Sequence, residues 1–146
     1  MKVYFIRHGQ TTCNAAGWHQ GWGPIGLTEK GFAQAREVKR LISGISFDKI
    51  YSSDLLRTRQ TAEVIFTDEY RSGSIHFDAD LREIDTGVFY KKTFADLYPV
   101  YGDEYKRRRQ DMDYGIYGGD SSRAIRGRDE NFLRRVETDP GLDKFA

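Results

Sequence analysis

Cysteine is nearly absent from this sequence. Cys13 is the single one among 146 residues, which excludes an internal disulfide framework. Apolar runs are short, and none approaches the roughly 18 to 20 residues that a membrane-spanning helix needs. The opening segment 1–7 meets charged residues too early to match a signal peptide. We therefore expect a cytoplasmic protein with no membrane partner.

An excess of one charge is also missing, because 23 lysine and arginine residues nearly cancel 22 aspartate and glutamate residues. The net charge of +1 provides no global field for holding nucleic acid, so no nucleic-acid partner is expected. Aromatic residues, at 14%, are plentiful, and 146 residues are enough to bury a core. The chain suits a single domain over residues 1–146.

The first half of the sequence alternates between strand and helix signals. Apolar runs predict buried strands, and apolar residues three and four apart predict helices. Thr28 and either Ser53 or Asp54 are the expected helix caps. In chain order, the predicted strand, helix, strand, helix and strand are residues 3–6, 29–42, 49–52, about 54–66 and 75–77. This order predicts a parallel sheet with helices packed on its faces.

The second half of the sequence has a looser pattern without strand signals. We predict helices over Thr93–Tyr98, Asp103–Met112 and Ser121–Val136, and a loop rich in glycine and tyrosine over Tyr114–Gly119. The tyrosines of this region are expected to pack a cover over the sheet rather than to stack on a ligand.

Polar residues that can take part in catalysis or binding follow each predicted strand, at the end where open parallel sheets place their sites. Arg7-His8-Gly9 follows the first strand, segment 52–62 with Arg57 follows the second, and segment 81–85 with Glu83 follows the third. Together they offer an imidazole, guanidinium groups and a carboxylate, which is the set that phosphoryl transfer needs. A neutral imidazole attacks phosphorus, arginines hold the phosphoryl oxygens, and a carboxyl group moves the proton. Arg7 beside His8 disfavours the imidazolium.

Six segments carry ordered motifs: Arg7–Asn14, Gln20–Trp22, Leu27–Gly31, Ser52–Ala62, Leu81–Ile84 and Gly118–Ser121. In this order and spacing they resemble the histidine phosphatase superfamily, and its phosphoglycerate mutase-like branch most of all. The similarity extends to about Val136. It implies a three-layer αβα sandwich with a mainly parallel sheet.

The resemblance also implies roles for individual residues. His8 would accept the phosphoryl group, Arg7 and Arg57 would clamp it, and Glu83 would donate the proton. The other implied phosphate-binding residues are Asn14, Gln20 and Gly21. The family uses no metal in this chemistry, so no cofactor is expected.

One element of the family is missing, a second catalytic histidine in a later Ser-His-Gly-Gly segment. His8, His19 and His76 are the histidines of this sequence, and none can fill that role. The later strand would begin near residues 143–146, so we expect a C-terminally truncated domain without its last strand and helix. The alternative is a protein that has abandoned catalysis. Truncation would leave a sheet edge open to self-association.

Several residues also have simpler interpretations. Glu83 could pair with Arg82 or Arg7, Asn14 could only hold its loop, and Arg59 is expected to be solvated. The basic run Lys106–Arg109 is expected on an exposed helix face. A cysteine phosphatase is excluded because position 19, six residues after Cys13, is not arginine, and His19 with His76 lacks metal-site spacing.

We therefore predict a phosphomonoester hydrolase that works through phosphorylated His8 on a small phosphorylated metabolite. A non-catalytic phosphate-binding or interaction module is the second hypothesis, and a phosphoglycerate mutase is the third.

Overall fold

A two-stranded parallel sheet lies at the centre of the fold. The computed structural model describes residues 2–139. Strand β1 comprises Ile50–Ser53 and strand β2 comprises Ile75–Asp78. The strands pair in parallel, with Ile50 opposite Ile75 and Ser53 opposite Asp78. Both strands lie within one residue of their predicted bounds, and their parallel pairing confirms the predicted α/β class.

Six helices of the described residues surround this sheet. They are α1 (Thr12–Ala16), α2 (Glu29–Leu41), α3 (Leu56–Ile65), α4 (Thr67–Ser72), α5 (Phe94–Asp111) and α6 (Ser122–Glu137). The predictions for α2, α3, α5 and α6 are confirmed, whereas α1 and α4 were not anticipated. No helix within residues 2–139 is both long and apolar enough to span a membrane.

The two faces of the sheet are covered by different helices. On one face Phe77 packs beneath Arg59 of α3, whose guanidinium lies 3.9 Å from the ring centre. On the other face Tyr51 meets Phe132 of α6 edge to face, with ring centres 5.3 Å apart. Alternate residues of a strand point to opposite faces, so each strand serves both layers. The three-layer arrangement is therefore confirmed.

The predicted first strand is wrong. Residues 3–6 form no strand among the described residues, and Phe5 is 95% exposed while Val3 is 57% exposed. An apolar β-branched run favours extended backbone, but a strand also needs a neighbour that completes its hydrogen-bond ladder. β1 forms its ladder with β2 instead. The sheet therefore has two of the three expected strands, and the expected later strand at 143–146 lies outside the described residues.

The predicted cap of α3 is also wrong. Leu55 occupies the N-cap position, and no side chain caps the helix there. Asp54 is unavailable because both of its carboxylate oxygens accept from Arg82, at 2.6 and 2.5 Å. At α2 the predicted cap is confirmed, since the Thr28 hydroxyl accepts from the amide of Gly31.

Residues from the second half of the chain build an aromatic core. Phe89 and Tyr105 are fully buried, and Leu97 and Tyr114 pack with them. Helix α5 bends at Gly102, whose φ of 54° and ψ of −137° are not helical, so the helix is in effect the two predicted segments. Tyr105 and Tyr114 belong to this core and Tyr101 and Tyr117 pack against it, whereas Tyr98 is exposed, so a cover built by the tyrosines stays a prediction.

Candidate active site

His8 lies at the centre of a polar cluster, held by close packing of the turn that follows it. A side-chain carbon on Gly9 would lie 2.3 Å from the carbonyl oxygen of Gly31, so only glycine fits between His8 and α2. The amide of Gly9 donates to the Thr61 hydroxyl of α3 at 3.2 Å. The glycine after the histidine is thus required by its packing against α2, and its amide also binds α3.

The hydrogen bond of the His8 ring defines which nitrogen can react. Nδ1 donates to the carbonyl oxygen of Gly9 at 2.7 Å, because a carbonyl oxygen can only accept. In the neutral ring the lone pair then lies on Nε2. The side-chain amide of Gln20 approaches that nitrogen at 3.5 Å. His8 therefore presents a nucleophilic nitrogen toward the polar cluster.

The electrostatic surroundings of His8 favour its neutral form. Burial lowers the pKa of His8 below its ordinary value, and the positive charges of Arg57 and Arg7 act in the same direction. The Gly9 carbonyl and the Glu83 carboxylate oppose this decrease in pKa but do not reverse it. The neutral ring is thus favoured, which is the direction that the sequence predicted from Arg7, although burial is the larger cause.

Arg57 is the second residue of α3 and is buried beneath the cluster, with 1% of its surface exposed. Its Nη2 donates to the carbonyl oxygen of Gly21 and to Oε2 of Glu83, both at 2.9 Å. Its Nε and Nη1 are buried and have no hydrogen-bond partner among the described residues. A buried guanidinium with unused donors is costly unless an anion completes its bonds.

Gln20 connects the members of the cluster. Its side-chain oxygen accepts from the buried hydroxyl of Thr11 at 2.9 Å, which fixes the orientation of the amide. The amide nitrogen then donates to Oε2 of Glu83 at 3.2 Å and faces His8. Gln20 was expected only as a phosphate-binding residue, and its contact with both His8 and Glu83 was not anticipated.

Glu83 is held through its backbone as well as its side chain. The indole nitrogen of Trp22 donates to the carbonyl oxygen of Glu83 at 2.7 Å. The guanidiniums of Arg82 and Arg128 both lie against the Trp22 ring, at 4.7 and 5.4 Å from its centre. Of the two pairings considered for Glu83, neither occurs, because its carboxylate meets Arg57 and Arg82 pairs with Asp54.

A buried ion pair anchors the segment that carries Glu83. Asp120 accepts from Arg128 of α6 at 2.8 and 2.9 Å. The same carboxylate accepts from the amide of Asp85, and the amide of Asp120 donates back to the carbonyl of Asp85. This support was missed, although Asp120 lies in the Gly118–Ser121 motif, which offered a signal.

Some predicted site residues lie outside this network of contacts. Arg7 is exposed and acts on His8 through its charge. Asn14 completes the capping box of α1 with the N-cap residue Thr11, since its side chain accepts from the amide of Thr11 and its own amide donates to the Thr11 hydroxyl. Arg59 is not solvated as expected, because it stacks on Phe77.

The remaining charged and histidine residues follow their simpler interpretations. Lys106 pairs with Asp103, and Arg108 pairs with Glu104 and Asp113, so the basic run forms a salt-bridged helix face. His76 lies on β2, exposed and stacked against Tyr51. Within residues 2–139 no three side chains of the metal-binding types are grouped as a metal site.

The site thus combines a histidine whose neutral form is favoured, a buried arginine and a carboxylate. The model of the histidine phosphatase superfamily (branch 1) matches residues 3–144. The chain belongs to this superfamily, and the resemblance found in the sequence is confirmed.

Characterised relatives include phosphatases. The adenosylcobalamin/alpha-ribazole phosphatase of Escherichia coli is 30% identical over 137 residues, which cover 93% of this chain and 66% of that protein. The GpmB protein of Salmonella choleraesuis, named as a probable phosphoglycerate mutase, is 38% identical over 88% of this chain and 59% of its own length. The chain thus spans about two thirds or less of the curated relatives it matches.

Solved structures give the same assignment. The crystal structure of the alpha-ribazole phosphatase from Shigella flexneri matches with a TM-score of 0.79 and 30% identity, over 90% of this chain and 64% of that one. A mycobacterial glucosyl-3-phosphoglycerate phosphatase in complex with VO3 matches with a TM-score of 0.77 and 27% identity, over 91% and 66%.

Proposed function

We propose that this chain supplies the phosphate-accepting part of a phosphomonoester hydrolase that works through phosphorylated His8. The observation that carries the proposal is Arg57, a buried guanidinium whose Nε and Nη1 have no partner among the described residues, beside a neutral His8. A phosphoryl group is the kind of anion that matches a guanidinium fork. Relatives named as phosphatases support the same reaction class.

The first step forms a bond between Nε2 of His8 and phosphorus while the ester bond to the leaving oxygen breaks. The leaving alkoxide takes a proton from the Glu83 carboxyl group. In the second step water attacks the phosphorus, gives its proton back to Glu83, and breaks the bond to Nε2, which releases inorganic phosphate. Arg57 holds the negative charge on the phosphoryl oxygens in both steps.

Glu83 has to change partners during this cycle. In the free protein its carboxylate accepts from Arg57 and Gln20, while 45% of its side chain is exposed. A phosphoryl group that takes over the Arg57 donors would release the carboxyl group toward the ester oxygen. Exchange of the Arg57–Glu83 contact for a contact with the substrate would then couple binding to the positioning of the acid.

Mutase activity is the second candidate, favoured by the similarity to GpmB. A mutase passes the phosphoryl group from His8 to a hydroxyl of a phosphoglycerate rather than to water. A module that binds phosphate without turnover is the third, since the buried Arg57 fork would bind the anion whether or not it is then hydrolysed.

A labelling experiment distinguishes the three candidates. The protein is incubated with p-nitrophenyl phosphate and then analysed for an acid-labile phosphoenzyme by intact mass, with wild type, His8→Gln and His76→Gln compared. We expect labelling of wild type and His76→Gln and none of His8→Gln. Nitrophenol release with inorganic phosphate as product supports the hydrolase, and isomerisation of a phosphoglycerate supports the mutase.

Binding of phosphate without labelling would favour the non-catalytic module. No labelling and no binding of inorganic phosphate by a folded wild-type protein would contradict the proposal as a whole.

We further propose that the protein self-associates through the apolar N-terminal strip Val3–Ile6. All four of its residues are exposed large hydrophobic or aromatic side chains, and their backbone completes no strand ladder within residues 2–139. A hollow of about 200 Å³ opens beside Arg7 and His8, with Ala35 of α2 and Ile65 of α3 in its walls. It can take an apolar side chain of a second copy, and a net charge of +1 opposes the approach of two copies only weakly.

A further inference from the structure

His19 lies in a position that the proposed reaction does not use. It follows Trp18 in the loop that crosses from α1 to α2, and its half-buried ring points into the aromatic core. Its ring centre lies 6.1 Å from that of Phe89, 5.9 Å from that of Tyr105 and 6.1 Å from that of Tyr114. A histidine among three aromatic rings needs a polar partner for its ring nitrogens.

Tyr105 of α5 supplies that partner. Its hydroxyl lies 2.5 Å from Nε2 of His19, while the tyrosine itself has no exposed surface. Burial lowers the pKa of His19 and raises the pKa of Tyr105, so the neutral forms are favoured and the hydroxyl donates to the ring nitrogen. Arg109 and Glu83 are the charged groups that act on His19.

The backbone of His19 is also held by hydrogen bonds. Its amide donates to the carbonyl of Lys92 at 3.0 Å, and its carbonyl accepts from the amide of Lys91 at 2.9 Å. Lys91 has a φ of 58°, a left-handed conformation that is uncommon for residues other than glycine. The loop is therefore fixed to the aromatic core at His19 by both side chain and backbone.

The next two residues enter the phosphate site. Gln20 faces His8 and donates to Glu83, and the carbonyl of Gly21 accepts from Arg57. Gln20 and Gly21 directly follow His19 in the chain. A displacement of the loop at His19 would therefore move both residues away from their hydrogen-bond partners. The core and the phosphate site are thus joined through one residue.

We propose that the hydrogen bond between His19 and Tyr105 positions Gln20 in the phosphate site. His19 is a positioning residue in this inference, which rests on the proposed function, and it acts through Gln20 rather than on the substrate. The aromatic core, which is built from segments 86–93 and 114–117 and from α5, is thereby coupled to the reactivity of His8. Changes in the core at a distance from His8 are expected to alter phosphate binding through this pair.

The test uses two variants that keep a ring and remove the hydrogen bond, His19→Phe and Tyr105→Phe, together with their double variant. Tyr98→Phe is the matched control, since it removes a hydroxyl from the same helix where the tyrosine meets Asp103 and Lys106 at the surface. Two quantities are measured on folded protein: the His8 pKa by NMR of isotope-labelled histidine, and the affinity for inorganic phosphate by calorimetry.

We expect the His8 pKa to rise toward its ordinary value in both single variants, because the displaced loop exposes the ring to water. Phosphate affinity should fall by about fivefold, the effect of one lost hydrogen bond, and the double variant should lose no more than either single one. Tyr98→Phe should match wild type in both measurements.

A purely structural pair would lower the urea midpoint of the variants yet leave the His8 pKa and the phosphate affinity unchanged, which would overturn the inference. Wild-type protein that binds no phosphate would overturn the proposed function. In that case the His8 titration alone decides whether the pair positions Gln20, so the two failures are distinguishable.

Discussion

At the scale of single residues, Arg57 has the most demanding position in the site. One nitrogen of its guanidinium holds Gly21 and Glu83, and two others are buried without partners among the described residues. A lysine ammonium is a point charge and cannot reproduce a planar fork. We expect Arg57→Lys to weaken the binding of inorganic phosphate by about tenfold or more, measured by calorimetry.

Arg59→Lys is the control for this change, because it makes the same substitution on the same helix, where the side chain stacks on Phe77. It should leave phosphate affinity within about twofold of wild type. Equal losses in the two variants would mean that general charge, rather than the fork of Arg57, attracts the anion.

Two histidines make the stability of the fold depend on pH. Burial holds the pKa of His8 and the pKa of His19 below the ordinary value of 6.5, so the unfolded chain takes up protons first as the pH falls. The free energy of unfolding should therefore be fully retained above about pH 6.5 and should decrease below it, by at most about 1.4 kcal/mol per pH unit for each histidine.

Urea unfolding between about pH 8 and pH 5 measures this dependence. The variants His8→Gln and His19→Gln remove one titrating group each, and each should flatten the slope below pH 6.5. A slope identical to that of wild type in both variants would show that other groups cause the acid sensitivity.

Sequence reasoning found most members of the cluster around His8, including the neutral Gln20 and Gly21, and missed the residues that support them. His8, Arg57 and Glu83 stand out because each follows a predicted strand. An imidazole, a guanidinium and a carboxylate are also the groups that phosphoryl transfer needs. Trp22 and Thr11 serve the same site through single hydrogen bonds to Glu83 and Gln20. Indole and hydroxyl groups make such bonds anywhere in a protein, so their spacing along the chain gives no comparable signal.

At the scale of elements, the sequence predicted correctly those features that depend only on residues close together in the chain. The hydroxyl cap of Thr28 and the apolar spacing of α2 require only neighbouring residues, and both are confirmed. The run Val3–Ile6 has the composition of a strand, but strand formation depends on which other segment lies beside it. That information is not contained in four residues, which is why this prediction was wrong while β1 and β2 were correct.

Helix α6 contributes to the site through the Asp120–Arg128 ion pair. Both side chains are largely buried, at 10% and 14% exposure, and the carboxylate also accepts from the amide of Asp85. Removal of one partner leaves a buried charge uncompensated. We expect Arg128→Met to lower the free energy of unfolding by about 3 kcal/mol, measured by urea denaturation.

The exposed pair Arg134–Glu130 on the same helix provides the comparison, with side-chain exposures of 70% and 64%. Arg134→Met should change the free energy of unfolding by less than about 1 kcal/mol, because exposed pairs are screened by water. If Arg128→Met and Arg134→Met were equally stable, the Asp120–Arg128 ion pair would not contribute measurably to the free energy of unfolding.

At the scale of the whole molecule, the exposed apolar strip Val3–Ile6 lies next to the proposed nucleophile, His8. The strip Val3–Ile6 leads directly into Arg7 and His8, so a second copy bound there would also approach the site. Association driven by apolar contact weakens when a charge is introduced at its centre. We expect the sedimentation coefficient of wild type to rise with protein concentration and that of Phe5→Lys to stay constant.

Leu41→Lys tests whether this effect is specific to the strip, since Leu41 is 65% exposed at the far end of α2 and an added charge there changes solubility equally. It should associate as wild type does. If Leu41→Lys abolished association as fully as Phe5→Lys, general surface hydrophobicity would be the cause. If wild type stayed monomeric at every concentration, the strip would have no role in self-association. Self-association through the strip Val3–Ile6 therefore requires both the concentration dependence of wild type and its selective loss in Phe5→Lys.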